Sequence, residues 1–276
     1  QMCIRDSAGT ARVIDAVEKF RFTQDQIDAA DFLSDEAKDY LANYRFSGDI
    51  DGYREGDIYF PYSPIMTLRG TFAECVILET VILSILNSDS AVASAASRMV
   101  SAADGRPIIE MGSRRTHEQS AVTAARAAYI AGFEATSNME ASLRYGIPPS
   151  GTAAHSWTLL HVDEDGTPDE KAAFKAQIDQ LGVDTTLLVD TFDITKGVAN
   201  AIEVAGTELG AVRIDSGDLG IVSRRVRQQL DKAGAFNTRI IVSSDLDEFA
   251  IAGLAAGPVD AYGVGTQLVT GSGHPT

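Results

Sequence analysis

Several short stretches combine charged, hydroxyl and glycine residues at spacings that can do chemistry. In Arg213-Ile214-Asp215-Ser216-Gly217-Asp218, a cation and a carboxylate stand two residues apart. Side chains alternate across a strand, so Arg213 and Asp215 would share one face. That face offers a guanidinium for an anion and a carboxylate for hydroxyls, a metal or developing positive charge. Gly217 would let the backbone approach a ligand. Ser216 or Asp218 could equally cap the helix that follows. Gly112-Ser113-Arg114-Arg115 precedes another helical stretch, where free N–H groups and guanidinium forks both favour phosphate. Solvated surface arginines are the plainer alternative. Thr116 and Gln119 have capping-box spacing there. Asp190-Thr191-Phe192-Asp193 is a second acidic stretch. With Asp215 it could hold Mg²⁺, which favours carboxylate and phosphate oxygens, or it could cap a helix. Gly263-Val264-Gly265-Thr266 could wrap a phosphate with backbone N–H groups. Leu268 stands where a dinucleotide loop needs its third glycine, and no GxxxxGK occurs. His155, in Gly151-Thr152-Ala153-Ala154-His155-Ser156-Trp157, reads as lying at a glycine-opened strand end among hydroxyls. There it would suit a nucleophile or proton carrier, or a structural histidine. His117 falls in the first turn of a helix, and His161 and His274 lie in polar loops. No HExxH or histidine–cysteine spacing points to zinc.

These stretches need elements to hold them. From about residue 105, short apolar runs alternate with amphipathic stretches. The runs are 107–111, 133–137, 185–190, 211–215, 239–243 and 259–264, with helices near 117–131, 169–181, 195–206, 219–234 and 246–255. This βαβα rhythm implies a parallel sheet with helices outside. The polar stretches follow the runs, at the strand ends where α/β barrels and doubly wound sheets place their sites. Helices confined to the gaps and the lack of a dinucleotide fingerprint favour an irregular, TIM-like α/β barrel over 105–276. Residues 8–104 read as a partial N-terminal α/β sandwich domain with connecting helices. Helix-spaced apolar residues occupy 8–20 and 24–44, with Thr23 and Ser34 as N-caps. Short strands fall at 48–53 and 58–61, a buried helix at 71–87 and an Ala/Ser-rich helix at 89–103. Residues 1–7 have neither an initiator methionine at position 1 nor the apolar core of a signal peptide, and read as a non-native leader, with a real but frayed terminus as the plainer alternative.

The chain has 276 residues, with 23 basic and 39 acidic side chains and a net charge of -16. That balance argues against nucleic acid, which needs a basic face, and against a polybasic membrane anchor. The most apolar run, 75–86, is broken by Glu79 and is shorter than the roughly 18 residues of a spanning helix. Two cysteines, Cys3 and Cys75, are too few for a disulfide scaffold, which fits a reducing, cytoplasmic compartment.

Taken in order, Glu110 to Arg115, Ala135 to Asn138, Gly151 to Trp157, Leu188 to Asp193, Arg213 to Leu219 and Gly263 to Thr270 resemble the nicotinate phosphoribosyltransferases. The resemblance runs over nearly the whole chain after the leader. It implies an N-terminal α/β sandwich and an irregular α/β barrel. It implies the reaction of nicotinate with phosphoribosyl pyrophosphate to nicotinate mononucleotide and pyrophosphate in NAD salvage. With this come coupled ATP hydrolysis, Mg²⁺ and a homodimer with shared sites. By that similarity His155 matches the histidine that ATP phosphorylates. Arg114 lies at the phosphate or nicotinate end, Arg213 near the nicotinate carboxylate and Asp215 near the ribose. Ser243, Ser244 and Asp245, and Gly263, Gly265 and Thr266, match loops that hold the 5′-phosphate. Arg115, Ser137, Thr152, Asp190, Ser216 and Gly217 complete the substrate-binding set. Catalysis falls to His155, Asp215 and Arg213, with Mg²⁺ near Asp190 and Asp215.

Two departures bear on activity. Family members begin with an Asp-Leu-Tyr-Glu-Leu-like segment that has no counterpart here, and they continue beyond the point where this chain stops at Thr276. The sequence therefore reads as a fragment of a longer enzyme. A sister phosphoribosyltransferase acting on nicotinamide or quinolinate, or an inactive binding module, stays open. A Schiff-base lyase is disfavoured, since Lys171, Lys175, Lys196 and Lys232 all fall on expected helices.

Overall fold

The computed structural model describes residues 5–271. Cys3, His274 and most of the expected leader lie outside them. Two compact units result, Gln1–Ser94 with Gly271–Thr276, and Ala95–Thr270. The division falls ten residues earlier than the boundary expected from sequence, inside a helix.

In the first unit, Arg5–Asp6 (β1) pairs antiparallel with Ile58–Tyr59 (β3). The Ser7 N–H donates to the Asp57 carbonyl. Residues 5–7 are thus part of the fold and correct the expectation of a leader through residue 7. Backbone pairing needs no apolar signature, so the sequence offered none. Helix α1 (Thr10–Lys19) buries Val13 and Val17, one turn apart, against Tyr44, Leu78, Ile82 and Leu86. The stretch read as one helical region at 24–44 is two helices, α2 (Gln24–Ala29) and α3 (Asp35–Ala42), each with the N-cap expected for it. Thr23 and Gln26 form a full capping box; Ser34 accepts from the Ala37 N–H. Asp49–Gly52 (β2) pairs with Met66–Arg69 (β4), a strand not expected from sequence.

The two helices expected at 71–87 and 89–103 are one, α4 (Phe72–Ala103). Asn87-Ser88-Asp89-Ser90 reads as a break, but Asp89 is buried and ion-pairs with Arg12 at 2.6 Å, and Ser90 accepts from the Ala8 N–H. By length and composition this helix could cross a bilayer, contrary to the sequence reading. Here Leu78, Ile82 and Leu86 are core residues, and Asp89 has a protein partner.

In the second unit, six parallel strands form one sheet in the order β6-β5-β10-β9-β8-β7. They are β5 (Ile108–Glu110), β6 (Ala135–Thr136), β7 (Thr186–Leu188), β8 (Ala211–Ile214), β9 (Arg239–Ser243) and β10 (Ala261–Val264). Their register makes Ile108 face Tyr262 and Gly263 face Ser243. The first strand lies beside the last, so the order is that of a ring opened between β6 and β7. The result is the curled parallel sheet of an irregular α/β barrel. Helices α5 (Glu118–Ile130), α8 (Glu170–Leu181), α9 (Ile194–Ala205), α10 (Leu219–Lys232) and α11 (Glu248–Leu254) occupy the expected gaps. Short helices α6 (Met139–Tyr145) and α7 (His155–Leu160) were not expected; both lie in the segment crossing the open seam. The strands are nearly all buried, which is why they read as unbroken apolar runs. Gly197 lets α9 approach β7, since any Cβ there would run into the Val189 carbonyl oxygen.

Candidate active site

The C-terminal ends of the strands carry the polar residues. Arg213, in β8, is the hub. Its Nε donates to Ser243 Oγ at 2.7 Å and its Nη1 to Thr152 Oγ1 at 2.6 Å, and its Nη2 lies 3.3 Å from Asp215 Oδ1. The Ser243 hydroxyl donates in turn to Asp215 Oδ1 at 2.7 Å. Arg213 and Asp215 do share a face. Asp190, just past β7 and 7% exposed, accepts through Oδ2 from the Asp215 N–H at 2.8 Å and the Ser216 hydroxyl at 2.6 Å. It thereby pins the turn after β8. The helix-capping alternatives are realised at Asp193, which caps α9, and at Asp218, one of the two caps expected for α10. Asp190, Asp215 and Ser216 are left for the site.

His155 does not end a strand; it is the first residue of α7. Its Nδ1 lies 3.1 Å from Thr191 Oγ1 and its Nε2 3.7 Å from Asp215 Oδ2. With 42% of its side chain exposed, it is a reachable nucleophile or proton carrier beside a carboxylate. The expected capping box at Thr116 does not form. His117 is the N-cap of α5, its Nδ1 accepting from the Gln119 N–H. His161 is the C-cap of α7, its Nδ1 2.8 Å from the Trp157 carbonyl.

Arg114 and Arg115 are exposed after β5, and among the described residues neither guanidinium has a partner. They remain free to meet an anion but are not part of the Arg213 cluster. The loop bearing them is held by Glu110, to which the sequence alone assigns no role. Its Oε1 accepts from the Gly112 N–H, and its Oε2 from the Thr136 hydroxyl at 2.5 Å. Thr136 Oγ1 also accepts from the Asn138 N–H, and Asn138 Nδ2 donates to Ser113 Oγ. Burial raises the Glu110 carboxyl above the usual carboxylate range, against the lowering pull of those two hydrogen bonds. Ser137 is exposed, its N–H bound to the Glu110 carbonyl. Ser244 and Asp245 are exposed after β9, and Asp245 accepts from the Thr266 hydroxyl at 3.1 Å, joining the two expected phosphate loops. Gly263 lies inside β10, where a Cβ would stand 2.8 Å from Met111 Sδ and 3.1 Å from Ser243 Cβ. Its smallness serves strand packing. Gly265 and Gly217 do lie in loops, Gly217 at a positive φ of 81°.

Comparison with known proteins decides the family. The family model for the nicotinate phosphoribosyltransferase N-terminal domain matches residues 6–87, and that for the nicotinate phosphoribosyltransferase family matches residues 107–274. The chain belongs to the nicotinate phosphoribosyltransferase family. Nicotinate phosphoribosyltransferase pncB1 of Mycobacterium tuberculosis is 62% identical over 272 residues, covering 98% of this chain and 61% of that protein. The Bacillus subtilis nicotinate phosphoribosyltransferase is 37% identical over 284 residues, covering 97% and 56%. Among solved structures, human nicotinic acid phosphoribosyltransferase superposes with a TM-score of 0.81 at 26% identity, covering 96% of this chain and 66% of that one. The chain thus spans about three fifths of the curated relatives it matches.

Within this family member, the residues fit a sparse metal site. Among the described residues no group of three or more histidine, cysteine or acidic side chains could cage an ion. Asp190 Oδ1 is nevertheless buried without a partner. Mg²⁺ commonly takes one or two carboxylates and completes its shell with water and substrate phosphates. Glu170, at the start of α8, is a second acid that sequence reasoning missed. Burial raises its carboxyl, Asn200 opposes this by donating a hydrogen bond, and neighbouring Asp190 and Asp193 raise it further.

Proposed function

We propose that the protein is the catalytic part of a nicotinate phosphoribosyltransferase, joining nicotinate to phosphoribosyl pyrophosphate to give nicotinate mononucleotide and pyrophosphate. The observation that carries this reading is the linked set Arg213, Ser243, Asp215 and His155 at the strand ends of a chain in this family. Displacing pyrophosphate from the ribose C1 builds oxocarbenium-like charge. A fixed carboxylate stabilises such charge without reorganising during the reaction. Asp215 is fixed in this way, held by its own N–H on Asp190 and by Ser243 and Arg213 on Oδ1. The Arg213 guanidinium suits the nicotinate carboxylate, and the free Arg114 and Arg115 suit phosphate oxygens. Mg²⁺, held through Asp190 and Asp215, would neutralise the leaving pyrophosphate.

ATP enters as a co-substrate. An imidazole nitrogen of His155 takes its γ-phosphoryl group and ADP departs; hydrolysis of the P–N bond then frees phosphate and restores the ring. Such a group beside Asp215 adds negative charge next to a carboxylate, a physical route for ATP to bias substrate affinity. A homodimer with shared sites, in the cytoplasm, completes the reading.

The test is incubation with nicotinate, phosphoribosyl pyrophosphate, ATP and Mg²⁺, with nicotinate mononucleotide measured by chromatography. Nicotinamide and quinolinate run as parallel substrates. Product from nicotinate is expected, with its acceleration by ATP lost in His155→Ala. Preference for nicotinamide or quinolinate would overturn the substrate, and binding without product would favour a binding module. ATP acceleration surviving in His155→Ala would overturn the phosphohistidine.

A further inference from the structure

Ser243 ends β9 and is 3% exposed. Family resemblance places it among the residues that grip the 5′-phosphate. Its hydrogen bonding says otherwise. A serine hydroxyl has one proton to donate. That proton goes to Asp215 Oδ1 at 2.7 Å, and the oxygen accepts from Arg213 Nε at 2.7 Å. A phosphate dianion offers only acceptors, so it has no use for a hydroxyl whose proton is already committed. Gly263 faces Ser243 across the β9–β10 pairing, where an added Cβ would stand 3.1 Å from Ser243 Cβ and crowd it.

We propose that Ser243 is a positioning residue for Arg213 and Asp215 and not a phosphate ligand. By holding Oδ1 of Asp215, it leaves Oδ2 turned toward His155, 3.7 Å away. By holding Nε of Arg213, it fixes the plane of the guanidinium while Nη1 binds Thr152. Orientation supplied in this way acts on the transition state more than on ground-state binding.

The kinetic part of the test rests on the phosphoribosyl-transfer reading. Ser243→Ala should lower kcat at least tenfold and leave KM for phosphoribosyl pyrophosphate within about twofold. A tenfold rise in that KM at unchanged kcat would make Ser243 a phosphate ligand and overturn the inference. Ser243→Cys, which keeps the volume with a weaker donor, should fall between the two and covers the case in which Ser243→Ala does not fold. If the wild-type chain forms no nucleotide, the functional reading fails, and thermal unfolding still decides this one. Melting temperatures of Ser243→Ala, Asp215→Ala and the double variant should be non-additive, the double falling short of the sum, because one bond is lost once. Additive shifts would overturn the proposal.

Discussion

Glu110 shows how much one buried carboxyl can organise. It is fully buried, yet both oxygens have donors, and through Thr136 and Asn138 it ties the loop after β5 to the loop after β6. Removing it would strand the Gly112 N–H and the Thr136 hydroxyl. Glu110→Ala should therefore cost about 2–4 kcal/mol in urea unfolding, and Glu110→Gln less. A carboxyl whose folded pKa is raised contributes stability present below its ordinary value of 4.5 and lost as pH rises through the folded value. Glu110→Gln should abolish that fall, seen as a flatter stability profile above pH 4.5. Arg213, Asp215, Asp190 and His155 were legible as candidates because charge, glycine and hydroxyl crowd around them in sequence. Glu110 was not singled out, since an acid that holds a loop and an acid that meets solvent are written with the same letter. Nor was Thr191, whose partner His155 lies 36 residues away across the seam.

Among the elements, α4 starts on a capping box that Ser47, distant in sequence, completes. Thr71 and Glu74 have capping-box spacing, and the Glu74 carboxylate accepts from the N–H and hydroxyl of Thr71 and of Ser47. These bonds, the Thr71 hydroxyl foremost, then that of Ser47, lower the Glu74 pKa from 4.5 to about 2. A depressed carboxylate contributes stability present above its unfolded value and lost as pH falls through its folded one. The stability gap between wild type and Glu74→Gln should accordingly narrow from about pH 4.5 down to about pH 2, as followed by circular dichroism. A constant gap across that range would show that these bonds do not depend on the charge. The strands and helices of the second unit were legible because buried parallel strands and amphipathic helices have distinct periods. What escaped was short or half-exposed: β1 and β4, whose pairing leaves little apolar pattern, and α6 and α7, too brief for a helical period. The continuity of α4 escaped because Asp89 and Ser90 look like a break until Arg12 and Ala8 are set beside them.

For the molecule as a whole, the excess of acid sets a condition on its proposed chemistry. A net charge of -16 repels phosphoribosyl pyrophosphate at long range, while Arg213, Arg114 and Arg115 attract it at contact. Salt screens the first more than the second, with a Debye length of about 10 Å at 0.1 M. The association rate of phosphoribosyl pyrophosphate, followed by stopped flow, should therefore rise between about 10 and 100 mM salt. A basic cleft would slow under the same change.

The pairing of β5 with β10 has a consequence for how the chain is made. Ile108 finds its register against Tyr262, about 150 residues later. Synthesis runs from the N-terminus, so β5 emerges long before β10 and waits with one edge open. Its other edge can take β6 at once, since Ile109 and Glu110 pair with Ala135 and Thr136. The remaining strands can add in chain order from β7 to β10, each beside the one before. Joining the two halves is the last and most distant contact, and such contacts are slow to form. A ribosome paused before Ala261 would hold two half-sheets with exposed edges, the state in which this chain is most open to pairing with the wrong partner.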